Sequence, residues 1–190
     1  SYHSAMAAFS GIGMAFLILV ASTGLSWADQ KDPRLDKLFV ELQESDNPQK
    51  ARLIERSIWS IWVASDSPTL ELLMNRVIMR MGNQEYGEAL RLLDAIVTIS
   101  PEYAEGWNKR ATVYYLLGRY EDSISDVEKT LDLEPRHFGA LSGLGLIYNR
   151  LDEDAAALDA FERALKVNPH LGQAKQEVKR LRGRIKGKRI

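Results

Sequence analysis

Three prolines, Pro101, Pro135 and Pro169, stand 34 residues apart, and each closes the same arrangement of small and bulky side chains. A fixed period constrains a fold more tightly than composition does, because each period must be one structural unit packed on a copy of itself. With 70–103, 104–137 and 138–171 as units, small or apolar residues recur at position 8 (Val77, Ala111, Gly145), position 20 (Ala89, Ser123, Ala157) and position 27 (Ile96, Thr130, Ala164). Larger apolar residues fill position 4 (Leu73, Trp107, Leu141), position 24 (Leu93, Val127, Phe161) and position 28 (Val97, Leu131, Leu165). Small residues at three places let two antiparallel helices approach, bulky ones fill the gap, and a proline cannot continue the second helix. The expected fold is an all-α helix-turn-helix solenoid, with Trp107 packed at its centre.

The third unit carries the fullest pattern, with Leu141, Leu144, Gly145, Tyr148, Ala157, Phe161, Ala164 and Pro169. The second supplies Trp107, Ala111, Tyr114, Gly118 and Tyr120; the first is looser, its Gly82 lying two places before the usual turn glycine. On these residues the chain resembles the tetratricopeptide repeat (TPR) family, whose repeats stack into a curved solenoid. The resemblance implies that the first helix of each unit lines a concave groove. Carried onto this chain, the groove positions are Glu71, Met74, Ile78 and Met81, then Glu105, Asn108, Thr112 and Tyr115, then Gly139, Ser142, Leu146 and Asn149, with His137 at a junction. Lys109 and Arg110 keep some positive charge nearby. The family's clamp for a C-terminal carboxylate is not reproduced, since its polar places hold Met74, Ile78, Gly139 and Gly143.

The stretch 136–151 contains three glycines at 139, 143 and 145. Each glycine inside a helix costs about 1 kcal/mol relative to alanine. Gly145 occupies position 8 and is explained by packing. A phosphate-binding loop is excluded, because 143–148 lacks the third glycine of the dinucleotide fingerprint and follows no strand. Gly139 and Gly143 fall on the groove side, where a floor without side chains lets a ligand backbone come close; tolerance of glycine on a surface is the alternative.

Two helical stripes precede the repeats within 29–69. Leu35, Leu38, Phe39 and Leu42 lie on one face, then Asn47 caps a helix opened by Pro48 and carrying Ile54, Ile58, Ile61 and Trp62. They read as a degenerate N-terminal repeat or cap. After the third unit, 172–190 begins as an amphipathic capping helix through Ala174, Val178 and Leu181 and then frays into a basic tail, with eight Lys or Arg against one Glu from residue 175 on. Its Lys179, Arg180, Arg182, Arg184, Lys186, Lys188 and Arg189 could contact an anionic lipid or cell-surface polymer. A solvated cap is the other reading.

At the other end, 4–28 carries no charged residue and closes on Ser26 and Ala28, the small residues of an export-signal cleavage site. An uncleaved anchor is the alternative, since the run is long enough to span a bilayer. Either way the remainder is expected outside the cytoplasm: in the bacterial periplasm, or anchored in the inner membrane facing it.

Absent chemistry narrows the function. The chain has no cysteine, so disulfides, thiolate metal sites and cysteine nucleophiles are excluded. A net charge of −1 gives no general pull toward nucleic acid. His3, His137 and His170 lack second ligands at metal spacing, and no nucleophile, base and orienter stand together. We therefore expect no enzyme activity, no cofactor, no metal and no small-molecule substrate. The expectation is an envelope adaptor that binds another protein or peptide segment in its groove, with a structural component using the basic tail as the alternative.

Overall fold

The computed structural model describes residues 29–188. In chain order they form α1 (Arg34–Glu44), α2 (Pro48–Val63), α3 (Pro68–Gly82), α4 (Tyr86–Ile99), α5 (Ala104–Leu116), α6 (Tyr120–Leu133), α7 (Phe138–Arg150), α8 (Asp154–Val167) and α9 (Gly172–Gly187). Among the described residues there is no strand. None of these helices is long and apolar enough to cross a membrane; the 4–28 segment and Arg189 lie outside the described residues.

Helix pairs α3–α4, α5–α6 and α7–α8 are the three repeats, and their register follows the sequence period. Every residue at positions 8, 20 and 27 is buried. Gly145 shows why one of them must be small: an added Cβ would stand 2.7 Å from the Phe161 ring. Ser123 satisfies its buried hydroxyl by donating to the Ala111 carbonyl at 2.7 Å, as a buried polar group must.

The turn inside each repeat is set at position 15. Gly118, Gln84 and Asp152 have φ of 73°, 60° and 56°, the left-handed conformation that ends a helix. In each turn the following amide reaches back into the helix: Arg119 to the Tyr114 carbonyl, Glu85 to Arg80 and Glu153 to Tyr148. Gly82 instead ends α3. Between repeats, Glu134 and Asn168 precede their prolines in extended conformation, as the residue before proline prefers, and Ser100 before Pro101 has likewise left the helical region.

Trp107 is not at the centre of the solenoid. It is half-buried, its Nε1 donates to the Pro101 carbonyl at 2.8 Å, and Arg110 and Lys129 lie over its ring. An indole has a polar edge and a face that attracts cations, so a rim suits it. Among the described residues the fully buried tryptophan is Trp62 of α2, 1% exposed.

Helix α2 is capped as the sequence predicts, Asn47 accepting from the amides of Gln49 and Lys50. Helices α1 and α2 form a pair. They do not stack on unit one as a preceding repeat would. Their core of Leu35, Phe39, Leu42, Ile54, Ile58 and Trp62 closes instead on Phe138, Val167 and Leu171. Polar contacts follow the same path: Tyr103 donates to the Val63 carbonyl at 2.5 Å, Arg136 meets Asp36 at 2.7 Å and Asn168 meets Glu55 at 3.1 Å. The pair thus lies across the loop-side edge of all three repeats. At the far end α9 covers α8 through Ala174, Val178 and Leu181 on Phe161, and it stays helical to Gly187 rather than fraying at mid-length.

Candidate functional site

The first helices α5 and α7 face one hollow on the concave side, with a cavity of about 280 Å³ between them. Thr112, Tyr115, Ser142, Gly143 and Leu146 border it, with Asn108 and Gly139 toward the loop edge. Its floor is Ala111, Ser123 and Val127, which the sequence assigns to helix packing, together with Ala140 and Ile147. At Gly143 an added Cβ would meet nothing within 4 Å. The lining is apolar with hydroxyl and amide groups at its rim, the make-up of a site that takes an apolar side chain and orients it with a few hydrogen bonds. A larger, shallower hollow of about 760 Å³ lies between α1 and α2 and is rimmed by Arg34, Lys37, Glu41 and Arg56; charged side chains at its mouth keep it wet.

The loop edge of the groove is filled by the chain itself. Trp62 stacks on His137, ring centroids 4.1 Å apart and planes 11° apart. Trp59 meets the same imidazole edge-on at 5.4 Å and lies on Gly139, where an added Cβ would stand 2.5 Å from its ring. The bare backbone at Gly139 therefore accommodates an indole of α2. Lys109 sits 5.6 Å above the Trp59 ring.

Beneath the indoles is a closed polar cluster. His137 Nδ1 accepts from the Ala140 amide at 3.0 Å, capping α7, so its Nε2 carries the proton and donates to Glu105 at 2.9 Å. Asn108 donates to the same carboxylate, and Lys109 lies 3.1 Å from it. Burial pushes the Glu105 carboxyl up, but the His137 hydrogen bond and the Lys109 charge outweigh it and hold it below its ordinary range. His137 and Glu105 are fully buried and both carboxylate oxygens are met by donors, while the Trp62 Nε1 above them has no partner among the described residues; the cluster is a structural anchor for α2. Among the described residues no group of three His, Cys, Asp or Glu could hold a metal.

The sequence-predicted groove residues thus divide. Asn108, Thr112, Tyr115, Ser142, Gly143 and Leu146 come together around the cavity. His137, Lys109 and Gly139 lie under or beside Trp59. Met74 is 1% exposed, inside the unit-one core with Val77 and Leu93, so it is not offered to a ligand. Ile78 is exposed on α3, away from the cavity lining. Asn149 is engaged by Glu177 and Arg180 of α9. Trp59, which does most to shape the groove, falls outside the stripe of α2 read from sequence; a large aromatic off the buried stripe was the available signal.

The basic tail is partly neutralised at home. Arg180 pairs with Glu177, Arg182 with Glu162, and Arg184 and Lys188 with Asp154. The Lys188 hydrogen bond, opposed by burial and helped by neighbouring cations, holds Asp154 below the ordinary carboxylate range. Lys179 and Lys186 are exposed.

This geometry has counterparts. A tetratricopeptide repeat family model matches residues 102–169. A TPR repeat-containing protein of Rhizobium etli is 39% identical over 156 residues, spanning 82% of this chain and 76% of that protein. The chain belongs to the tetratricopeptide repeat family. Solved TPR domains share the solenoid. The Sgt2 TPR domain from Aspergillus fumigatus superposes with a TM-score of 0.60 at 23% identity, over 63% of this chain and 81% of that one. The first TPR of Spaghetti (RPAP3), bound to an HSP90 peptide, does so with a TM-score of 0.58 at 20% identity, over 60% and 90%.

Proposed function

We propose that this TPR protein is a non-enzymatic adaptor of the bacterial cell envelope that holds a segment of another protein in the α5–α7 part of its concave groove. The carrying observation is the cavity of about 280 Å³ over Gly143, apolar within and edged by Asn108, Thr112 and Ser142. A segment bound there inserts one apolar side chain and meets hydroxyl and amide groups at the rim. The HSP90 peptide in the RPAP3 structure supports this use of the fold; the absence of a carboxylate clamp at Met74, Ile78, Gly139 and Gly143 argues for a different segment here. Export rests on the uncharged 4–28 run and its small residues before Asp29.

Peptides selected from a random display library against the full chain test the groove. Their binding should fall by about tenfold or more in Gly143→Leu, whose side chain fills the cavity, while helix content holds or rises because leucine is the better helix former. Truncation after Leu181 should leave it unchanged. Peptides that bind Gly143→Leu equally well would sink the reading. The tail alternative has less support, because Arg182, Arg184 and Lys188 already meet acidic partners; salt-sensitive binding to anionic vesicles, lost with the tail, would favour it. Intact mass of the protein recovered from an expressing bacterium tests export: a soluble species beginning at Asp29 is expected, and a membrane-bound one keeping 4–28 would mean an anchor.

A further inference from the structure

The face that each repeat turns toward the one before it is covered in units two and three and bare in unit one. In unit two it consists of Gly106, Arg110 and Val113, and α4 lies on it. An added Cβ at Gly106 would stand 2.8 Å from Ile96 Cγ2, Val113 is buried against Leu93 and Ile96, and Arg110 reaches Asp94 at 3.0 Å. In unit three α6 does the same for Ala140 and Ile147, which pack with Val127. One period earlier the equivalent residues are Leu72, Arg76 and Met79, spaced to share one stripe of α3. Leu72 and Met79 are 54% and 55% exposed. Arg76 is exposed and has no ion pair among the described residues. The helix pair that could have stacked here is docked on the loop edge instead.

We propose that this stripe is a docking surface for an amphipathic helix of a partner protein that carries an acidic residue over Arg76 and a small residue opposite Leu72. The chemistry follows from comparing units. Arg110, the counterpart of Arg76, is held by Asp126 of its own unit and by Asp94 of the covering helix. Unit one has Leu92 at the place of Asp126, so the carboxylate left for a partner helix to supply is the one at Asp94's place. Ile96 fits over Gly106 only because no Cβ is there; Leu72 therefore requires a smaller residue at the place of Ile96. A second copy of this chain does not meet these terms. Pairing two α3 stripes about a two-fold axis sets Arg76, midway between Leu72 and Met79, against its own copy. Head-to-tail stacking brings up α9, whose exposed Lys175, Lys179 and Lys186 repel it.

The probe is a fluorescent stapled peptide with the α4 sequence 86–99 and Ile96→Ala, titrated against the full chain by anisotropy. Saturable binding is expected. It should weaken about tenfold in Arg76→Asp and return when the peptide carries Asp94→Lys, since reversing one charge turns attraction into repulsion. Met79→Gln should weaken it as well, and Gly143→Leu should not. Both stripe substitutions are at exposed positions, and unchanged melting by circular dichroism verifies that they fold. No saturable binding, indifference to Arg76→Asp and Met79→Gln, or failure of the charge-swapped rescue would overturn the inference. So would a homodimer in sedimentation that Arg76→Asp dissolves, because the occupant would then be a second copy.

Discussion

Alanine at Gly139 and at Gly143 makes one chemical change twice on the same face of α7, and the structure gives the two changes opposite signs. At Gly143, in mid-helix, an added Cβ meets nothing within 4 Å. The substitution should therefore deliver the intrinsic preference for alanine, about 1 kcal/mol, and raise the melting temperature by about 2–4 °C for a domain of this size. Gly139 lies in the first turn, where that gain is smaller, and its Cβ would stand 2.5 and 2.7 Å from two ring carbons of Trp59. Carbon atoms rest about 3.5–4.0 Å apart, so the indole must retreat by roughly 1 Å. It has little room, with Trp62, His137 and Phe138 within 5.3, 5.4 and 5.7 Å of its centroid. Overpacking of this kind costs about 1–3 kcal/mol. Thermal melts by circular dichroism should place Gly139→Ala below the parent and Gly143→Ala above it, and Trp59→Ala should abolish the difference in sign. If Gly139→Ala melts as high as Gly143→Ala, α2 is not seated on the groove and the division of the site fails.

Trp62→Ala, which empties the buried centre of the N-terminal helix pair, should cost about 3–5 kcal/mol in urea unfolding, whereas Trp107→Ala, half-buried under two cations, should cost about 1 kcal/mol. Gln84→Gly should raise the melting temperature, because a side chain in left-handed conformation costs about 1–2 kcal/mol that glycine does not incur; a lowered value would mean Gln84 makes a compensating contact. Glu105 and Asp154 both titrate below ordinary carboxylates, so the stability they contribute is complete above about pH 5 and is lost as pH falls through their folded values, below about pH 4. Melts from neutral to acid pH should show that loss, with a shallower acid limb in Glu105→Gln.

The repeats were legible because their packing is local and recurs. Position 8 meets position 24 of the same unit in every period, as Gly145 meets Phe161, so a spacing of 34 residues carries the contact map directly. Trp107 was misplaced by the same reasoning: size alone suggested the centre, but an indole between Arg110 and Lys129 is as well served at the rim. The seat of α1 and α2 was not legible at all. Its contacts join residues about a hundred positions apart, such as Arg136 with Asp36 and Asn168 with Glu55, and no period points to them. The sequence identified Gly139 as bare groove floor, but what covers it is an indole whose own position depends on that distant docking.

A stack of repeats ordinarily behaves as a row of nearest neighbours, each stabilised by the next and able to melt from an end. Here the helix pair α1–α2 touches Tyr103, His137 and Leu171, the last residue of each successive unit. It is a strut laid along the loop-side edge. Bending the superhelix open would shear all three of these contacts at once, which fixes the curvature and makes the groove a rigid receptor. The strut also couples the melting of the first repeat to that of the third, turning a linear array into one cooperative block. Its contacts join residues about a hundred positions apart, the non-local kind whose loop-closure entropy slows folding relative to a plain row of repeats.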